Sequence, residues 1–439
     1  MPEPKSQTNI PHDANSENPK YIRQVAIVGG GLAGLYAAYQ LSQMGVDFVL
    51  LEAKPFLGGR ILALKNVNAG EKKLAGKLAG KLAGKQNEGN PLAQDKAAAN
   101  IKAKANNTLH DLGPTWIFEH QTKMQALAKE LGLSLFEQYI QGDALYQLAN
   151  TNQARRIEGA GSMRMFRVDG GTFRLIEALS ASLNPKSLML DSLVKAYARV
   201  PVNSTAQAQA SAKSSRKDAD LWHLKIDNSE QVIIAEHVFL AIPPRIVARD
   251  FINQTNQNIL SQSLLKSLQG AQTWMAAQAK FVVTYTRAFW REQGLSGQSF
   301  SQVGPMIEMH DASLQNNGDY ALFGFIGIPA TRRRDIDQDT LQAACLHQLA
   351  FFYGDAVYEY SSAGIKDWAN DDFICTAQDI AEGSKHPMLN LTPFKAELES
   401  LNLHLIGSEF AQAGSDPGYL EGAINAVDSA LASWIKVHK

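Results

Sequence analysis

The sequence predicts an α/β fold that begins with two strands joined by a helix. Residues 23–28 are predicted as a short buried strand, apolar from Val25 onwards, and three consecutive glycines follow at 29–31. A helical pattern comes next and stops at Gly45, where glycine commonly ends a helix. Residues 46–51 are then predicted as a second buried strand, so the segment is a βαβ unit.

The glycines between the first strand and the helix have the spacing of a dinucleotide-binding loop. Gly29 permits the tight turn, Gly31 lets a pyrophosphate approach the backbone, and Gly34 lets helix and strand pack closely. The free N–H groups and the dipole of the helix N-terminus favour the phosphate charge. Glu52 follows the second strand, where its carboxylate can accept hydrogen bonds from ribose hydroxyls. The sequence therefore predicts a Rossmann-type domain whose loop comprises Gly29, Gly31, Leu32, Ala33 and Gly34.

Length and composition restrict the class of protein. The 439 residues favour two or three domains, and a hydrophobic fraction of 45% supplies a large core. A formal net charge of -1 gives no indication of a nucleic acid or an anionic membrane as partner. The two cysteines, Cys345 and Cys375, suggest neither a disulfide framework nor a metal cluster and suit a reducing compartment. With no apolar signal segment and no run that could span a membrane, we expect a soluble, cytoplasmic protein without a bound metal.

Three segments are predicted to lie outside the folded core. Residues 1–20 are polar and rich in Pro and Asn, which indicates a flexible N-terminus. Residues 65–107 contain the unit Lys-Leu-Ala-Gly three times, and a glycine at every fourth residue opposes a helix. Residues 201–220 are polar and separate two strand-like runs. We expect a low-complexity surface insertion at the second segment and a long hairpin loop at the third.

The residues after Glu52 distinguish FAD from NAD. Gly58, Gly59 and Arg60 complete the pattern E-x5-G-G-R, which resembles the extended FAD signature of the flavin-containing amine oxidase superfamily of monoamine and polyamine oxidases. The resemblance implies that Arg60 and the adjacent backbone lie near the pyrophosphate and the flavin. It also implies a Rossmann-type FAD-binding domain with an interleaved α+β substrate domain, as in monoamine oxidases.

Further segments that resemble this family follow in its order along the chain. They include Gly-Pro-Thr-Trp at 113–116, Val-Asp-Gly-Gly at 168–171, Ala-Ile-Pro-Pro at 241–244 and Gly-Tyr-Leu-Glu-Gly-Ala-Ile at 418–424. Several motifs in one order are more specific than any single motif. The resemblance implies FAD contacts from Gly59, Arg60, Gly113, Pro114, Thr115, Trp116, Val194, Trp368, Gly407, Ser408, Glu409, Gly418, Tyr419 and Ala423.

The reaction that the resemblance implies is the FAD-dependent oxidation of an amine. A hydride equivalent passes from the α-carbon of the amine to flavin N5, the imine is hydrolysed, and O2 is reduced to hydrogen peroxide. In the family, the lysine at the place of Lys280 holds a water against flavin N5 and assists the reaction with oxygen. Tyr419 corresponds to one of two aromatic walls around the substrate amine. The predicted catalytic residues are Lys280, Tyr419 and Trp116.

Two positions depart from the family pattern. The second aromatic wall falls near Gln378, which is not aromatic, so Phe373 or Trp116 would have to replace it. The cysteine that links FAD covalently in some members falls at about Ala377, and Cys375 lies two residues earlier. Because residues two apart on a strand share a face, Cys375 stays open as an attachment point. Non-covalent FAD is nevertheless the expectation.

Other functions in the same fold stay open at this point. They are a dehydrogenase or desaturase of a non-amine substrate and a flavin-binding protein without catalytic activity. An NAD-dependent dehydrogenase would leave residues 58–60 and 418–424 unexplained. The expected partners are a small-molecule amine and O2, with a homodimer as one option for assembly. The predicted domains are an FAD-binding domain of residues 21–117, 160–250 and 370–437, and a substrate-binding domain of residues 118–159 and 251–369.

Overall fold

The described part of the chain consists of several ranges. The computed structural model describes residues 22–65, 109–159, 164–201, 220–253, 259–315, 318–383 and 385–438. The predicted N-terminal segment and most of the two predicted insertions lie outside these ranges. Within them, no helix has both the length and the apolar character needed to cross a membrane.

The described chain contains both strands and helices, and several strands often follow one another between two helices. The strands are β1 (Ile22–Val28), β2 (Phe48–Leu51), β3 (Ala63–Lys65), β4 (Leu109–Asp111), β5 (Ile117–Phe118), β6 (Leu135–Glu137), β7 (Asp143–Gln147), β8 (Arg155–Ile157), β9 (Met165–Val168), β10 (Leu188–Met189), β11 (Val194–Val200), β12 (Leu221–Ile226), β13 (Val232–Leu240), β14 (Ala279–Tyr285), β15 (Leu295–Ser301), β16 (Met306–Asp311), β17 (Tyr320–Ile326), β18 (Ser362–Asp367) and β19 (Leu403–Leu405). The helices are α1 (Leu32–Gln43), α2 (Thr122–Glu130), α3 (Phe173–Ala181), α4 (Pro244–Asn253), α5 (Gln262–Gly270), α6 (Phe289–Glu292), α7 (Ala330–Arg333), α8 (Gln338–Tyr353), α9 (Ala377–Glu382), α10 (Lys395–Ser400) and α11 (Leu420–His438).

The first large sheet contains the predicted βαβ unit in the strand order β10-β2-β1-β13-β12-β11, with β19 paired to the end of β13. β10, β2, β1 and β13 run parallel, whereas β13, β12 and β11 form an antiparallel meander. Val25 and Ile27 pack on the side that carries α1, α3 and α11. Ala26 and Val28 pack on the side that carries α4 and α5. Burial on both faces explains why residues 25–28 of β1 form a continuous apolar run.

The second large sheet has the order β18-β14-β17-β16-β15-β7-β8. Its neighbouring strands are antiparallel except for β15 and β7, which are parallel. Phe281 and Val283 of β14 pack with α8 in one apolar cluster, whereas Val282 packs in another on the opposite face. Because strand residues alternate between faces, Lys280 lies on the side of Val282, away from α8.

The segments around the predicted insertions are strands that pair with each other. β11 and β12 are antiparallel with Val200 opposite Leu221, so they flank the predicted hairpin loop, whose own residues lie outside the described ranges. β3 and β4 are antiparallel with Lys65 opposite Leu109, and they flank the low-complexity segment in the same way. The division of the chain into an FAD-binding and a substrate-binding domain stays a prediction.

Candidate active site

A cavity of about 490 Å³ extends from the carboxyl ends of β1 and β2 to one face of the second sheet. Ligands of open α/β sheets bind at this end of the strands. Two of the predicted site residues, Gly34 and Glu409, do not line the cavity. The predicted residues that do line it are Gly29, Gly31, Leu32, Ala33, Glu52, Gly59, Arg60, Gly113, Pro114, Thr115, Trp116, Val194, Lys280, Trp368, Gly407, Ser408, Gly418, Tyr419 and Ala423.

The glycine loop fits the pyrophosphate of a dinucleotide. Gly29 has a φ of +105°, a conformation that side chains disfavour, and it makes the turn out of β1. A Cβ on Gly34 would lie 1.9 Å from the backbone oxygen of Gly29, so helix and strand need this glycine to pack. A Cβ on Gly31 would meet nothing closer than the Cα of Gly59 at 3.7 Å. The space beside Gly31 is therefore open to a ligand, next to the N-terminus of α1.

Glu52 lies at the end of β2 and is bonded to the glycine loop. Its Oε2 accepts a hydrogen bond from the backbone N–H of Gly30 at 2.6 Å, and Oε1 accepts one from that of Lys54 at 2.9 Å. Burial raises the pKa of Glu52, although these two hydrogen bonds favour the carboxylate. A carboxylate has about four acceptor sites, so this side chain can still accept ribose hydroxyls.

Arg60 is fixed by a buried carboxylate. Its Nη1 and Nη2 donate to the two carboxylate oxygens of Glu409 at 2.5 and 3.0 Å, and Nη2 also donates to Ser408 Oγ at 3.0 Å. Burial acts to raise the pKa of Glu409, but the charge and hydrogen bonds of Arg60 outweigh it and lower the pKa. Glu409 is fully buried and does not line the cavity, and its carboxylate orients the guanidinium of Arg60. Its contact with FAD stays a prediction.

Lys280 reaches the cavity from β14 and is only 3% exposed. Its Nζ donates to the backbone oxygen of Gly113 at 3.0 Å and to Thr115 Oγ1 at 2.5 Å. The same atom lies 4.1 Å from the centre of the Phe323 ring, within the range of a cation–π contact. Lys280 thus connects the second sheet to the Gly-Pro-Thr-Trp segment.

The ionisation of Lys280 is shifted towards neutrality. Burial lowers its pKa to about 7, because the charged form loses its hydration. Asp111 opposes this shift and Arg167 adds to it. These two residues form a buried ion pair with 3.7 Å between Nη2 and Oδ2. Both the charged and the neutral amine are consequently populated near pH 7.

Trp116 lies over the face of the second sheet that carries Lys280. Its Nε1 donates to Gln138 Oε1 at 2.9 Å, which fixes the ring. The ring contacts His310, Phe323 and Phe325, with centroid distances of 4.8, 5.4 and 6.2 Å. The cavity wall on this side is therefore largely aromatic.

Tyr419 lies just before α11 on another wall of the cavity. Its ring centre is 5.8 Å from both Trp274 and Phe118. Its hydroxyl lies 3.3 Å from His386 Nε2, and the His386 ring stacks on Trp274 at 3.7 Å. Tyr419 contacts Trp274 directly, so these two rings do not sandwich an open space.

Gln378 is absent from the cavity wall because its segment forms a helix. It lies on α9, is exposed and donates from Nε2 to Glu382 Oε1 at 2.7 Å. A capping box between Thr376 and Asp379 begins this helix. Of the two proposed substitutes, Phe373 lines the cavity beside Lys54, near the end of β2. Trp116 lies on the side of Lys280 and is the better candidate for the missing wall.

Cys375 is buried outside the cavity. Its Sγ donates to the backbone oxygen of Thr376 at 3.6 Å, and the residue packs with Ala276, Trp368 and Ile374. Burial raises the pKa of the Cys375 thiol to about 12, so the nucleophilic thiolate is disfavoured. These contacts support FAD bound without a covalent link. In the described ranges, no group of three or more His, Cys, Asp or Glu side chains is arranged to hold a metal ion.

Some residues of the cavity were not predicted from the sequence. Trp274, Glu308 and Phe325 all line it. Phe325 lies on a strand made almost entirely of apolar residues, a pattern that predicts burial but not which segments the strand contacts. Glu308 gives no signal of its own in the sequence. Met275 also lines the cavity and has a φ of +62°, an unusual conformation for a non-glycine residue at the bend before β14.

Two family models match this chain. One, described as "Flavin containing amine oxidoreductase", matches residues 153–428. The other, described as "NAD(P)-binding Rossmann-like domain", matches residues 27–71, which contain the glycine loop and Glu52. The first match covers more than half of the chain and includes Lys280 and Tyr419.

Several known proteins are similar to this chain. The "Probable flavin-containing monoamine oxidase A" of Dictyostelium discoideum is 22% identical over 395 residues, which covers 71% of this chain and 76% of that protein. The structure of wild-type putrescine oxidase bound to putrescine has a TM-score of 0.67 at 17% identity and covers 94% of this chain and 99% of that one. Cyclohexylamine oxidase from Brevibacterium oxydans IH-35A has a TM-score of 0.66 at 16% identity and covers 95% and 100%. At these identities the two solved structures support the fold alone.

Proposed function

The chain belongs to the family of flavin-containing amine oxidoreductases, and we propose that it oxidises an amine with FAD and O2. FAD, when bound, accepts a hydride equivalent from the carbon beside the amine nitrogen and passes the electrons to oxygen, which yields an imine and hydrogen peroxide. One observation carries the proposal. A single cavity joins the glycine loop after β1 to buried Lys280 among aromatic rings.

The residues that would hold FAD lie along the first sheet. The open space beside Gly31 and the N-terminus of α1 would take the pyrophosphate, and Glu52 would accept the ribose hydroxyls. Val194, the first residue of β11, also lines the cavity and would contact the adenine. The first turn of α11, with Ala423, would direct a partial positive charge towards the flavin ring.

The aromatic walls would favour the reactive form of the amine. An ammonium ion loses hydration when it enters a dry, aromatic space, so the neutral amine is favoured there. Trp116, Phe325 and Tyr419 supply this surface, and the neutral amine can release electrons that the ammonium cannot. The small amines in the names of similar proteins, putrescine and cyclohexylamine, agree with a cavity of this kind.

Lys280 would assist the step with oxygen. When charged, it would provide a cation beside the place where negative charge develops, and its burial weakens the screening of that charge. Its hydrogen bonds to Gly113 and Thr115 keep the ammonium group in one position. Because burial lowers its pKa to about 7, Lys280 can also release or accept a proton near neutral pH.

The test is a spectroscopic titration of the purified holoprotein. Its visible spectrum is recorded without oxygen while monoamines, diamines, polyamines and amino acids are added one at a time. Bleaching by one class of amine, followed by recovery and peroxide release in air, is the expected result. A flavin that no amine bleaches would refute amine oxidation and favour a non-amine dehydrogenase or a catalytically inactive flavoprotein. A protein that binds no FAD would refute the proposed cofactor site.

A further inference from the structure

One row of side chains crosses the second sheet at the cavity. The strand registers set Glu308 of β16 opposite Phe325 of β17, and Phe325 opposite Lys280 of β14. Residues directly opposite each other in a sheet project from the same face. Glu308 and Lys280 therefore face the same cavity, two strand spacings or about 9.5 Å apart.

Glu308 has a free oxygen and a rigid support. Its Oε1 lies 2.7 Å from His310 Nε2, while Oε2 has no hydrogen-bond partner among the residues that the structure describes. The His310 ring packs between Trp116 and Phe323, with centroid distances of 4.8 and 5.3 Å. The carboxylate is thus held through one oxygen, and the other is available to a donor at a residue that lines the cavity.

The other carboxylates on the cavity wall lie elsewhere. Glu52 is bonded to the glycine loop at the end of β2. Asp250 lies on α4, which packs against the first sheet, and its Oδ1 is 3.0 Å from Nε of the neighbouring Arg249. Glu308 is the acidic residue that the lining contributes on the aromatic face of the second sheet. A cationic group that reaches this half of the cavity would meet a single, fixed negative charge.

We propose that Glu308 binds a second ammonium group of the substrate, so that the chain prefers diamines or polyamines to monoamines. The inference rests on the proposed amine oxidation. The geometry separates the two ends of such a substrate: Lys280 is 3% exposed, whereas the Glu308 side chain is 38% exposed. The buried end favours a neutral, reactive amine, and the partly hydrated end keeps the distant amine charged and bound by a charge-assisted hydrogen bond.

The substrate must match the distance along the row. The chain of carbon atoms would lie over Phe325, which separates Glu308 from Lys280 and offers an apolar surface. A chain that is too short would leave one amine away from its place, and its dissociation constant would be higher. Affinity is therefore expected to rise with length from diaminopropane and then to level off or fall.

The experiment compares α,ω-diamines with n-alkylamines of the same carbon number. For amines that bleach the flavin, the dissociation constant comes from the concentration dependence of anaerobic bleaching. For amines that bleach no flavin, it comes from calorimetric titration of the holoprotein. Glu308→Gln should raise the Kd of the diamines about 10- to 100-fold and leave that of the alkylamines unchanged. Glu308→Asp keeps the charge and should retain the preference with a longer optimal chain.

Glu359→Gln is the matched control, because it removes one exposed carboxylate that does not line the cavity. It should alter neither Kd. Equal affinity of the wild type for diamines and alkylamines, or an equal loss of both in Glu308→Gln, would overturn the inference. If diamines bind through Glu308 but bleach no flavin, the second-ammonium site stands and amine oxidation fails. If alkylamines bleach the flavin as well as diamines do, oxidation stands and the site fails.

Discussion

Gly31→Val tests whether the glycine loop holds FAD. Gly31 has a φ of -79° and a ψ of -172°, an extended conformation that valine adopts without strain. The nearest described atom to a new Cβ would be the Cα of Gly59 at 3.7 Å, which is an ordinary van der Waals contact. The protein itself therefore does not require glycine here, and we expect the free energy of unfolding to change by about 1 kcal/mol or less.

The same substitution should strongly weaken cofactor binding. The valine side chain would occupy the space that a pyrophosphate needs to reach the backbone N–H groups at the start of α1. Hydrogen bonds to a charged group contribute roughly 1.5–3 kcal/mol each, so losing two would cost about 3–6 kcal/mol. That corresponds to a Kd for FAD about 150- to 25,000-fold higher.

The assay is a fluorescence titration of the apoprotein with FAD, with thermal unfolding measured on the same sample. Gly270→Val is the matched control, because a Cβ there meets nothing within 4 Å and lies at the end of α5. Gly34→Ala is the opposite case, since its Cβ would lie 1.9 Å from the backbone oxygen of Gly29 and should destabilise the fold itself. Binding of FAD to folded Gly31→Val with the wild-type Kd would refute the assignment of the loop.

Three further predictions concern Lys280 and the low-complexity segment. Lys280→Met should slow the reaction of the reduced enzyme with O2 by about 10- to 1000-fold in stopped-flow experiments, and an unchanged rate would remove its proposed role. The pKa of Lys280 is lowered to about 7, so between pH 7 and its ordinary value the unfolded state binds more protons. The stability of the wild type relative to Lys280→Met should therefore rise with pH across this range, and a constant difference in urea unfolding would contradict the shift. Deletion of residues 70–100 should leave folding and flavin content intact, because Lys65 pairs opposite Leu109 and a short turn can join the two strands; loss of either property would show that the segment packs on the core.

Local patterns in the sequence predicted much of the first sheet and its loop. The apolar run of β1, the glycine spacing and the position of Glu52 depend on contacts within about thirty residues, and the structure has all three as a βαβ unit. The predicted ends of the elements differ by a few residues, as for α11, which begins at Leu420 rather than at Glu421. These features follow from periodicity and from glycine conformation, both of which are local.

Contacts between distant segments were beyond the reach of such patterns. Arg60 and Glu409 were both expected at the cofactor, but their pairing buries Glu409 away from the cavity. Gln378 was expected to stand at the missing aromatic wall, but its segment forms α9, and Arg245 of α4 binds Asp379 on this helix at 2.7 Å. In the first case the ion pair decides where the Glu409 side chain lies. In the second it holds α9, with Gln378 exposed, against α4.

The sequence by itself determined the family resemblance, the βαβ unit, the glycine loop and the alternation that sets Lys280 on one face of a strand. The tertiary structure alone decided which residues that face of the strand contacts. Trp116, Phe325 and Glu308 come together with Lys280 only because the second sheet closes on the Gly-Pro-Thr-Trp segment. The physical reason is that periodicity fixes the direction of a side chain relative to its own strand or helix, whereas burial and ion pairing between distant segments fix its neighbours.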